Sequence, residues 1–369
     1  MKLMMLKLFT IMLLVFLQGC GDSNPLKIGF IGGTSGRVAD LGVAGRNGVI
    51  LAVEERNAAG GIKGQKIELI LKDDKQETEL SKKAAEELVA AGVAAILGPM
   101  TSSMAMEVVP VSNQSEILTM GTTVTTNKLT GKDDYFFRTL SPTLDHASET
   151  AKYLYEYKKT KKVAAVYDLN NKAYTESWLK DFSDSLEKMG GTITKSIPFN
   201  SSNQVKFEDI ARDLIAATPD AIVLIVNSVD AALLAKQIRV INPDIQLAAS
   251  AWAGTERLIE LGGRYVERMA VPQFFDRYNQ DAEYLTFYSA YLERFGHPPG
   301  FPGLVSYNAT NVVLNALSDK KSGENLKQTI LRIRQFPSIQ GTIIIDEFGD
   351  SKSQTYLTEV IDGQFRLSE

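Results

Sequence analysis

Short apolar runs alternate with helical patterns along most of the chain. The runs are rich in Val, Ile and Ala and are flanked by turn residues, which is typical of buried parallel strands. Strands that alternate with helices predict an α/β fold with doubly wound sheets, in which ligands bind outside the carboxyl ends of the strands. The runs are LKIGFIGG, QKIELILKDD, GVAAILGP, KKVAAVYD, DAIVLIVN, IQLAASAW and ERMAVPQFF.

A clear helical pattern lies in the second half of the chain. Its apolar stripe, at spacings of four, four and three residues, consists of Trp178, Phe182, Leu186 and Met189. This spacing predicts an amphipathic helix that ends at the glycine pair 190–191. The strand and helix pattern restarts at KKVAAVYD, after the charged EYKKTKK, much as it begins at LKIGFIGG. The chain is therefore expected to form two similar lobes.

The first twenty residues have the pattern of an export signal. Two lysines precede an apolar run of ten residues, 8–17, which is typical of a secretory signal peptide. A membrane-spanning helix would need about 20 apolar residues. The run ends in Leu17-Gln18-Gly19-Cys20, which resembles a bacterial lipobox. That resemblance implies that 1–19 is a signal peptide, that Cys20 is acylated, and that 20–25 is a lipidated tether. The alternative is a buried structural cysteine.

Composition and charge exclude several classes of protein. Without residues 1–19 the chain keeps 350 residues, enough for two domains, and its formal charge changes from −4 to −6 because two lysines are lost. No basic field is left to attract nucleic acid. The single cysteine rules out a disulfide and a thiolate metal site within one chain. His146 and His297 have no ligand at i+3 or i+4, so no metal is expected.

The glycine-rich loop GFIGGTSG does not match a nucleotide site. Its glycines do not fit G-x-G-x-x-G, and no Lys-Ser or Lys-Thr pair follows. No cofactor is therefore expected. The string GTSG also lacks the spacing of a nucleophile elbow, and neither histidine is well placed to serve as a base. We expect a protein that is not an enzyme; an enzyme on this scaffold remains an alternative.

Two loops are rich in hydroxyl side chains. Thr101, Ser102 and Ser103 follow a strand and begin a helix, where hydroxyls cap free amides and the helix dipole favours an anion. A second loop, ILTMGTTVTTNKLTG, contains Thr123 and Thr125. Together the two loops predict a site for a carboxylate, whereas plain helix capping is the alternative.

Several runs in this order resemble the type I periplasmic binding proteins of the branched-chain amino acid ABC transporter family. They are IGGTSG, AAGGIKGQKIELILKDD, GVAAILGPMTSS, TTVTTNKLT, YFFRTLSP and the closing GTIIIDEFGD with YLTEVIDGQF. The resemblance covers about residues 26 to 365. It implies a lipid-anchored, extracytoplasmic and monomeric protein that captures a small carboxylate between its lobes and delivers it to a membrane permease. A sensing module that signals to a membrane receptor without transport is the alternative function.

The resemblance also implies the division of the lobes and the residues of the site. Three hinge crossings would join an N-terminal lobe of 26–140 plus 276–345 to a C-terminal lobe of 141–275 plus 346–369. The ligand-binding residues implied for the first lobe are Ser35, Ser102, Ser103, Thr123 and Thr125, and those for the second lobe are Tyr174, Asn227 and Trp252.

One departure from the family pattern concerns the ligand. Members that bind α-amino acids usually carry an acid where this chain has Ala251-Trp252-Ala253. A buried ammonium without a partner is costly, so either another acid such as Asp168 or Asp230 serves, or the ligand has no ammonium. Trp252 with Tyr174 could instead stack on an aromatic carboxylate. A branched-chain or other amino acid and an aromatic acid both remain open.

Overall fold

The computed structural model describes residues 24–368, and the predicted signal peptide and Cys20 lie outside them. The first half of the chain forms a sheet of five parallel strands in the order β2-β1-β3-β4-β5. Strands β3, β4 and β5 are buried along their length, and β1 is buried from Ile28 onward, because helices cover the faces of the sheet. The strands are β1 Leu26–Gly32, β2 Ile67–Asp73, β3 Ala95–Leu97, β4 Leu118–Gly121 and β5 Phe136–Arg138.

Three helices alternate with the first four strands. They are α1 Ala39–Ala58, α2 Thr78–Ala90 and α3 Ser102–Ser115. The loop between β3 and α3 comes very close to β1, since a side chain on Gly98 would lie 2.1 Å from the carbonyl oxygen of Ile31. Gly98 also has φ +95°, which glycine adopts without strain. Glycine at this position lets α3 begin directly at the carboxyl end of the sheet.

The second half of the chain repeats the arrangement. Its parallel strands are β6 Lys162–Asp168, β7 Thr192–Phe199, β8 Ala221–Ile225, β9 Gln246–Ala249 and β10 Ala270–Gln273, in the order β7-β6-β8-β9-β10. The helices of this half are α4 Thr143–Lys152, α5 Lys172–Lys188, α6 Phe207–Ala216, α7 Ser228–Ile241 and α8 Glu256–Gly262. The amphipathic helix predicted from its apolar stripe is α5, and three residues of that stripe, Trp178, Phe182 and Leu186, are fully buried.

The chain then returns to the first sheet. The returning segment contains α9 Ala282–Phe295, α10 Gly300–Asp319, α11 Leu326–Ile333 and a hairpin of β11 Gln335–Ser338 and β12 Gly341–Ile344. Helices α10 and α1 pack side by side, so closely that a side chain on Gly48 would lie 2.1 Å from the carbonyl oxygen of Gly303. Two last strands, β13 Tyr356–Ile361 and β14 Gln364–Leu367, pair antiparallel beside β10 and complete a seven-stranded sheet.

Short helical turns connect several of these elements. They are the 3-10 turns Gly36–Val38, Asn127–Leu129, Leu169–Asn171, Ala251–Ala253 and Gly263–Val266, and a π-helical turn Tyr153–Tyr157.

The chain passes between the two sheets three times, and the crossing segments are tied to one another. The backbone amide of Ser141 donates to the hydroxyl of Ser353 at 3.0 Å, and the amide of Ser353 donates back to Ser141 at 2.7 Å. The second crossing is tied to the turn of the β11–β12 hairpin, where Gln340 accepts from the amide of Asp276 at 3.0 Å and donates to its carbonyl at 2.7 Å. The residues at which the lobes divide remain a prediction.

Two general searches complete the description of residues 24–368. None of their helices combines the length and the apolar composition that crossing a membrane requires. In the same residues, no three His, Cys, Asp or Glu side chains come together as a set of metal ligands.

Candidate functional site

A cavity lies between the two lobes at the carboxyl ends of their strands. Its volume is only about 20 Å³, far below the usual range of roughly 300 to 1,000 Å³ for ligand pockets, so a ligand can enter only when the lobes move apart. It is lined by Leu41, Met100, Thr101, Ser102, Thr123, Thr125, Asn171, Tyr174, Trp252, Phe274 and Phe301. Loops that follow strands supply most of these residues, as expected for doubly wound sheets.

The first-lobe wall of the cavity consists of hydroxyl side chains from two neighbouring loops. Ser102 is the first residue of α3, and its hydroxyl accepts from the backbone amide of Thr125 at 3.4 Å. Thr123 donates its hydroxyl to the carbonyl of Met100, which ties the loop after β4 to the loop after β3. The hydroxyls of Thr101 and Thr125 are buried and have no partner within residues 24–368. This wall therefore offers hydroxyls and a helix amino terminus to a polar group.

The second-lobe wall is aromatic. Tyr174 lies in the first turn of α5, and Trp252 lies in the short turn that follows β9. Their rings meet edge to face, with centroids 6.0 Å apart and an interplanar angle of 79°. The Trp252 indole Nε1 is buried without a partner in the described part of the chain, and the buried Tyr174 hydroxyl lies near the Ser250 hydroxyl and the Trp252 backbone without a well-aligned hydrogen bond to either. Because burial raises the pKa of Tyr174 far above its ordinary 10.0, its hydroxyl stays protonated and can donate.

Further apolar side chains close the remaining sides. Phe274 follows β10, and its ring lies 5.4 Å from that of Phe301 at the start of α10. Behind Phe274 lies His146 of α4, with ring centroids 4.9 Å apart at 88°. His146 is fully buried, and neither ring nitrogen has a partner within residues 24–368. Burial lowers the pKa of His146 to about 4, so the imidazole is neutral at pH 7.

Among residues 24–368, no charged side chain lines the cavity. The two acids considered as partners for an ammonium are both buried elsewhere. Asp168 accepts from the amide and hydroxyl of Ser201 at 3.0 and 2.6 Å, and Asp230 pairs with Arg37. Burial raises the pKa of both carboxyls, and these partners only partly offset the rise. Neither carboxylate is among the residues that line the cavity.

Contacts between the lobes flank the cavity on two sides. On one side, the amide of Ser103 donates to Asn171 at 3.0 Å, and the Ser103 hydroxyl accepts from the amide of Ala173 at 3.2 Å. These bonds join the start of α3 to the start of α5. The structure therefore holds the lobes closed over the cavity.

On the other side, the Asp40 carboxylate of α1 accepts from the hydroxyls of Ser228 and Thr255, each at 2.5 Å. Arg37 reaches across to Asp230 a short way along the same edge. We call these five residues the latch. Its members make contacts between the lobes without lining the cavity.

Five of the eight site residues that the sequence indicates line the cavity: Ser102, Thr123, Thr125, Tyr174 and Trp252. Three do not. Ser103 makes the contact between the lobes described above. Ser35 donates to the carboxylate of Asp73 at 2.7 Å, and Asn227 caps α7 by accepting from the amide of Asp230 at 3.0 Å. Whether any of the eight binds a ligand remains a prediction.

Five lining residues were not indicated above: Leu41, Met100, Asn171, Phe274 and Phe301. Asn171 stands directly before α5, where its position after β6 was a usable signal. Met100, Phe274 and Phe301 gave no signal, since each has the character of an ordinary core residue.

Comparison with known proteins assigns the family. The family model described as periplasmic binding protein matches residues 25–364. The chain belongs to this family. The prediction of a type I periplasmic binding protein of the branched-chain amino acid family, with two α/β lobes, is confirmed.

The sequence identity to individual relatives is low. The leucine-, isoleucine-, valine-, threonine-, and alanine-binding protein of Pseudomonas aeruginosa is 23% identical over 337 residues, which cover 90% of this chain and 88% of that protein. Leu/Ile/Val-binding protein homolog 3 of Brucella melitensis is 33% identical over 168 residues, 45% of each chain.

Two solved structures illustrate the fold. The leucine-binding protein LivK of Thermotoga maritima has a TM-score of 0.86 at 23% identity, covering 93% of this chain and 98% of its own. A solute-binding protein of R. palustris in complex with benzoate has a TM-score of 0.84 at 18% identity, covering 93% and 95%.

Proposed function

We propose that this chain is an extracytoplasmic solute-binding protein of an ABC importer and that its ligand is a small carboxylate without an ammonium group. The observation that carries the proposal is the lining of the cavity, which combines hydroxyls, aromatic rings and no charged side chain. Unpartnered buried polar atoms on both walls support a polar ligand, because each such atom costs about 1 to 3 kcal/mol when left unpaired.

The carboxylate of the ligand lies at the first-lobe wall in this proposal. The amino terminus of α3 carries a partial positive charge, which stabilises an anion without a lysine or arginine. The hydroxyls of Ser102 and Thr125 add donors to the same place. Thr101, whose hydroxyl is likewise unpartnered, stands beside them as the residue that precedes α3.

The body of the ligand lies against Tyr174, Trp252 and Phe274. Aromatic rings prefer edge-to-face or offset contacts with another ring. Because the rings of Tyr174 and Trp252 stand at 79° to one another, a ligand ring can stack on one of them and meet the other edge to face. A ligand ammonium would find no carboxylate among the lining residues, and its burial without a partner would be costly. An aromatic acid therefore fits this cavity better than an amino acid.

The names of the relatives allow both ligands. The Pseudomonas aeruginosa relative is named for aliphatic and small amino acids, whereas the structure from R. palustris contains benzoate. The charge of the cavity lining is what decides our proposal between them.

Matched pairs of ligands test the proposal directly. The melting temperature of a soluble form that begins at Asn24 would be measured with leucine and with 4-methylpentanoate, which share a carboxylate and side chain but differ in the ammonium. Benzoate and cyclohexanecarboxylate form a second pair that differs in aromaticity, and benzamide removes the charge of benzoate. A ligand present at about 100 times its Kd adds about 2.7 kcal/mol of stability.

We expect benzoate to raise the melting temperature more than cyclohexanecarboxylate, and benzamide to have little effect. We also expect 4-methylpentanoate to exceed leucine. A shift with leucine and none with 4-methylpentanoate would reverse our assignment of the ligand class while leaving the cavity as the binding site.

The remaining parts of the proposal concern where the protein acts. We propose that the chain is exported, acylated at Cys20 and held at the membrane as a monomer that delivers its ligand to a permease. Support comes from the lipobox-like quartet and from the family. Mass spectrometry of membrane-extracted protein should show acyl chains on wild type and none on Cys20→Ser; acyl chains on the variant would refute the anchor.

A further inference from the structure

The chain leaves the first lobe at the end opposite to the cavity. The carbonyl of Asn24, the first described residue, accepts from the side chain of Gln65 at 3.1 Å, and the amide of Leu26 donates to the carbonyl of Lys66 at 2.9 Å. These contacts fix the start of β1 beside the turn that leads into β2. The tether to Cys20 therefore begins at the amino-terminal edge of the first sheet, whereas the cavity lies at the carboxyl edge.

Basic side chains surround this exit point. Lys63 donates to the carbonyl of Lys320 at 2.7 Å, which places the turn before β2 against the end of α10. Lys66 donates to the carbonyl of Asn57 at the end of α1. Lys63, Lys66 and Lys321 are exposed. We call this surface the tether face; its basic residues are Arg56, Lys63, Lys66, Lys320 and Lys321.

The positive charge of the tether face is not neutralised by its hydrogen bonds. The bonds donated by Lys63 and Lys66 go to backbone carbonyls, and those of Arg56 go to Asn315 and Ser318 at 2.5 and 3.0 Å. All of these acceptors are uncharged, so they orient the cations without cancelling their field.

The nearest acids of α10 and the loop after it are already engaged. Asp319 and Glu324 each pair with Arg332 of α11 at 2.9 Å. The two carboxylates share one arginine, and Glu324 also accepts from the amide of Lys321 at 3.2 Å, so one net negative charge remains beside the five cations of the tether face. The tether face is a positive region on a chain whose formal charge is −4.

Two helices set the distance between this face and the ligand. Helix α10 begins beside Phe301 at the cavity and ends next to Lys320, and α1 runs from Leu41 at the cavity to Arg56. Each has 20 residues, which corresponds to about 30 Å at 1.5 Å per residue. The tether face and the ligand cavity are thus separated by a full helix length.

We propose that the tether face binds the anionic phospholipid headgroups of the membrane that holds the anchor. The proposal rests on the acylation of Cys20 proposed above. Four peptide steps separate Cys20 from Asn24, a reach of at most about 14 Å. The tether therefore keeps the lysines close to the lipid surface, where anionic headgroups attract them over roughly a Debye length of 8 to 10 Å. An acyl chain together with a basic patch holds a protein to a membrane more firmly than either alone.

The geometry gives this contact a consequence for ligand capture. With the tether face on the lipid, the carboxyl edge of the first sheet and the cavity point away from the membrane. The cleft is then turned toward the medium that supplies the ligand. Docking on a permease through the cleft edge requires the protein to leave this position, so the contact describes the resting protein.

The test uses the full acylated protein reconstituted in vesicles of phosphatidylcholine, with or without phosphatidylglycerol. Cys20 is blocked by acylation, so a fluorophore reacts only with an introduced thiol. Ser322→Cys reports from the tether face, and Ser202→Cys, on the exposed loop after β7, is the matched reporter far from it. Spin-labelled lipid headgroups quench a fluorophore that lies near the membrane surface.

We expect quenching of the Ser322 reporter in phosphatidylglycerol vesicles and little quenching of the Ser202 reporter. In 0.5 M salt the quenching of the Ser322 reporter should be lost, because salt screens the attraction between the lysines and the headgroups. Replacing the four lysines of the tether face by glutamine should abolish the difference between the two lipid compositions. The matched variant carries Lys82→Gln, Lys152→Gln, Lys206→Gln and Lys236→Gln, loses the same charge elsewhere, and should keep it.

Flotation of the same vesicles separates the two proposals. If the protein floats with both lipid compositions but the Ser322 reporter is quenched equally in both, the tether face is wrong and the anchor stands. If the protein does not float with phosphatidylcholine, the anchor is wrong. Salt-sensitive flotation with phosphatidylglycerol, lost in the tether-face variant alone, would then still support the basic face, and its absence would refute it.

Discussion

The two walls of the cavity consist of different types of side chain. The first-lobe wall consists of short hydroxyl side chains that the loops after β3 and β4 hold against one another, as in the bond from Thr125 to Ser102. The second-lobe wall consists of large rings, Tyr174 and Trp252, whose polar atoms have no partner in the described residues. Hydrogen bonds to the backbone hold the side chains of the first-lobe wall in place, whereas the second-lobe wall supplies apolar surface area.

This difference indicates how the work of recognition is divided. Fixed hydroxyls and a helix amino terminus orient a carboxylate and contribute about 1 to 3 kcal/mol per bond. Buried aromatic rings dominate binding energy because they remove large areas from water. We therefore expect the first wall to determine which end of the ligand is bound and the second wall to determine how tightly.

The largest effect is expected from breaking the aromatic wall. Trp252→Ala should weaken binding of an aromatic acid by about 3 kcal/mol or more, roughly a hundredfold in Kd, because it removes the larger of the two rings. Calorimetry on the folded variant measures this directly. Trp252→Phe keeps a ring without the indole Nε1 and should lose much less. Equal losses for the two variants would mean that the N–H rather than the ring area matters.

The second prediction concerns His146, whose ring packs behind Phe274 at the cavity, and it is tested by changing the pH. Burial lowers the pKa of His146 to about 4, below the ordinary 6.5, so the unfolded chain binds more protons than the folded chain between these values. The contribution of His146 to stability should therefore fall as the pH drops from 6.5 to 4, by about 3 kcal/mol at 1.36 kcal/mol per pH unit, against the opposite contribution of buried carboxyls such as Asp74, whose pKa burial raises to about 6. Chemical unfolding of wild type and His146→Phe across this range measures the difference.

The variant at position 146 cannot titrate there, so its free energy of unfolding should fall less with acid. His146→Leu provides a second non-titrating side chain in case Phe is too large for the site. Parallel pH profiles for wild type and both variants would contradict the prediction.

A smaller effect is expected from the hydroxyl wall. Ser102→Ala should weaken binding of a carboxylate by about 1 to 3 kcal/mol, because a buried anion loses a donor. Ser115→Ala serves as the control, since Ser115 lies at the other end of α3 and donates to the carbonyl of Val111. Unchanged affinity for the Ser102 variant in calorimetry would remove this residue from the site.

The smallest effect is expected outside both walls, in the latch. Arg37→Gln should weaken every ligand by the same factor, by about 1 kcal/mol, because Arg37 is 42% exposed and the fully buried Asp230 keeps the bond donated by Asn227 at 2.8 Å. Arg257→Gln, which breaks a pair within α8, should change no affinity. A change in the order of ligand preference would show that Arg37 contacts the ligand.

The sequence predicted most of the fold because buried parallel strands have an apolar pattern that is local and easy to see. Strand β7 was not predicted, because it lies at the edge of its sheet and its residues alternate between exposed and half-buried. The return of α10 to the first sheet depends on contacts between residues far apart in sequence. Only the resemblance to a known family indicated it.

The candidate site divides in the same way. The hydroxyl wall was visible because several hydroxyls cluster after two strands, which is unusual for a plain helix cap. Phe274 and Phe301 were not visible, since nothing in a local pattern separates an aromatic residue of a cavity from one of the core. Ser35 also follows a strand, but its hydroxyl bonds to Asp73, a partner that only the fold brings near.

The position of the latch has a consequence for the design of biosensors. Asp40, Ser228 and Thr255 join the lobes without touching the cavity, so a change among them alters the balance of open and closed protein equally for every ligand. The concentration at which a reporter responds could then be set at Asp40, while the compound to which it responds is set at Trp252. Affinity and ligand specificity can therefore be changed at different residues of this protein.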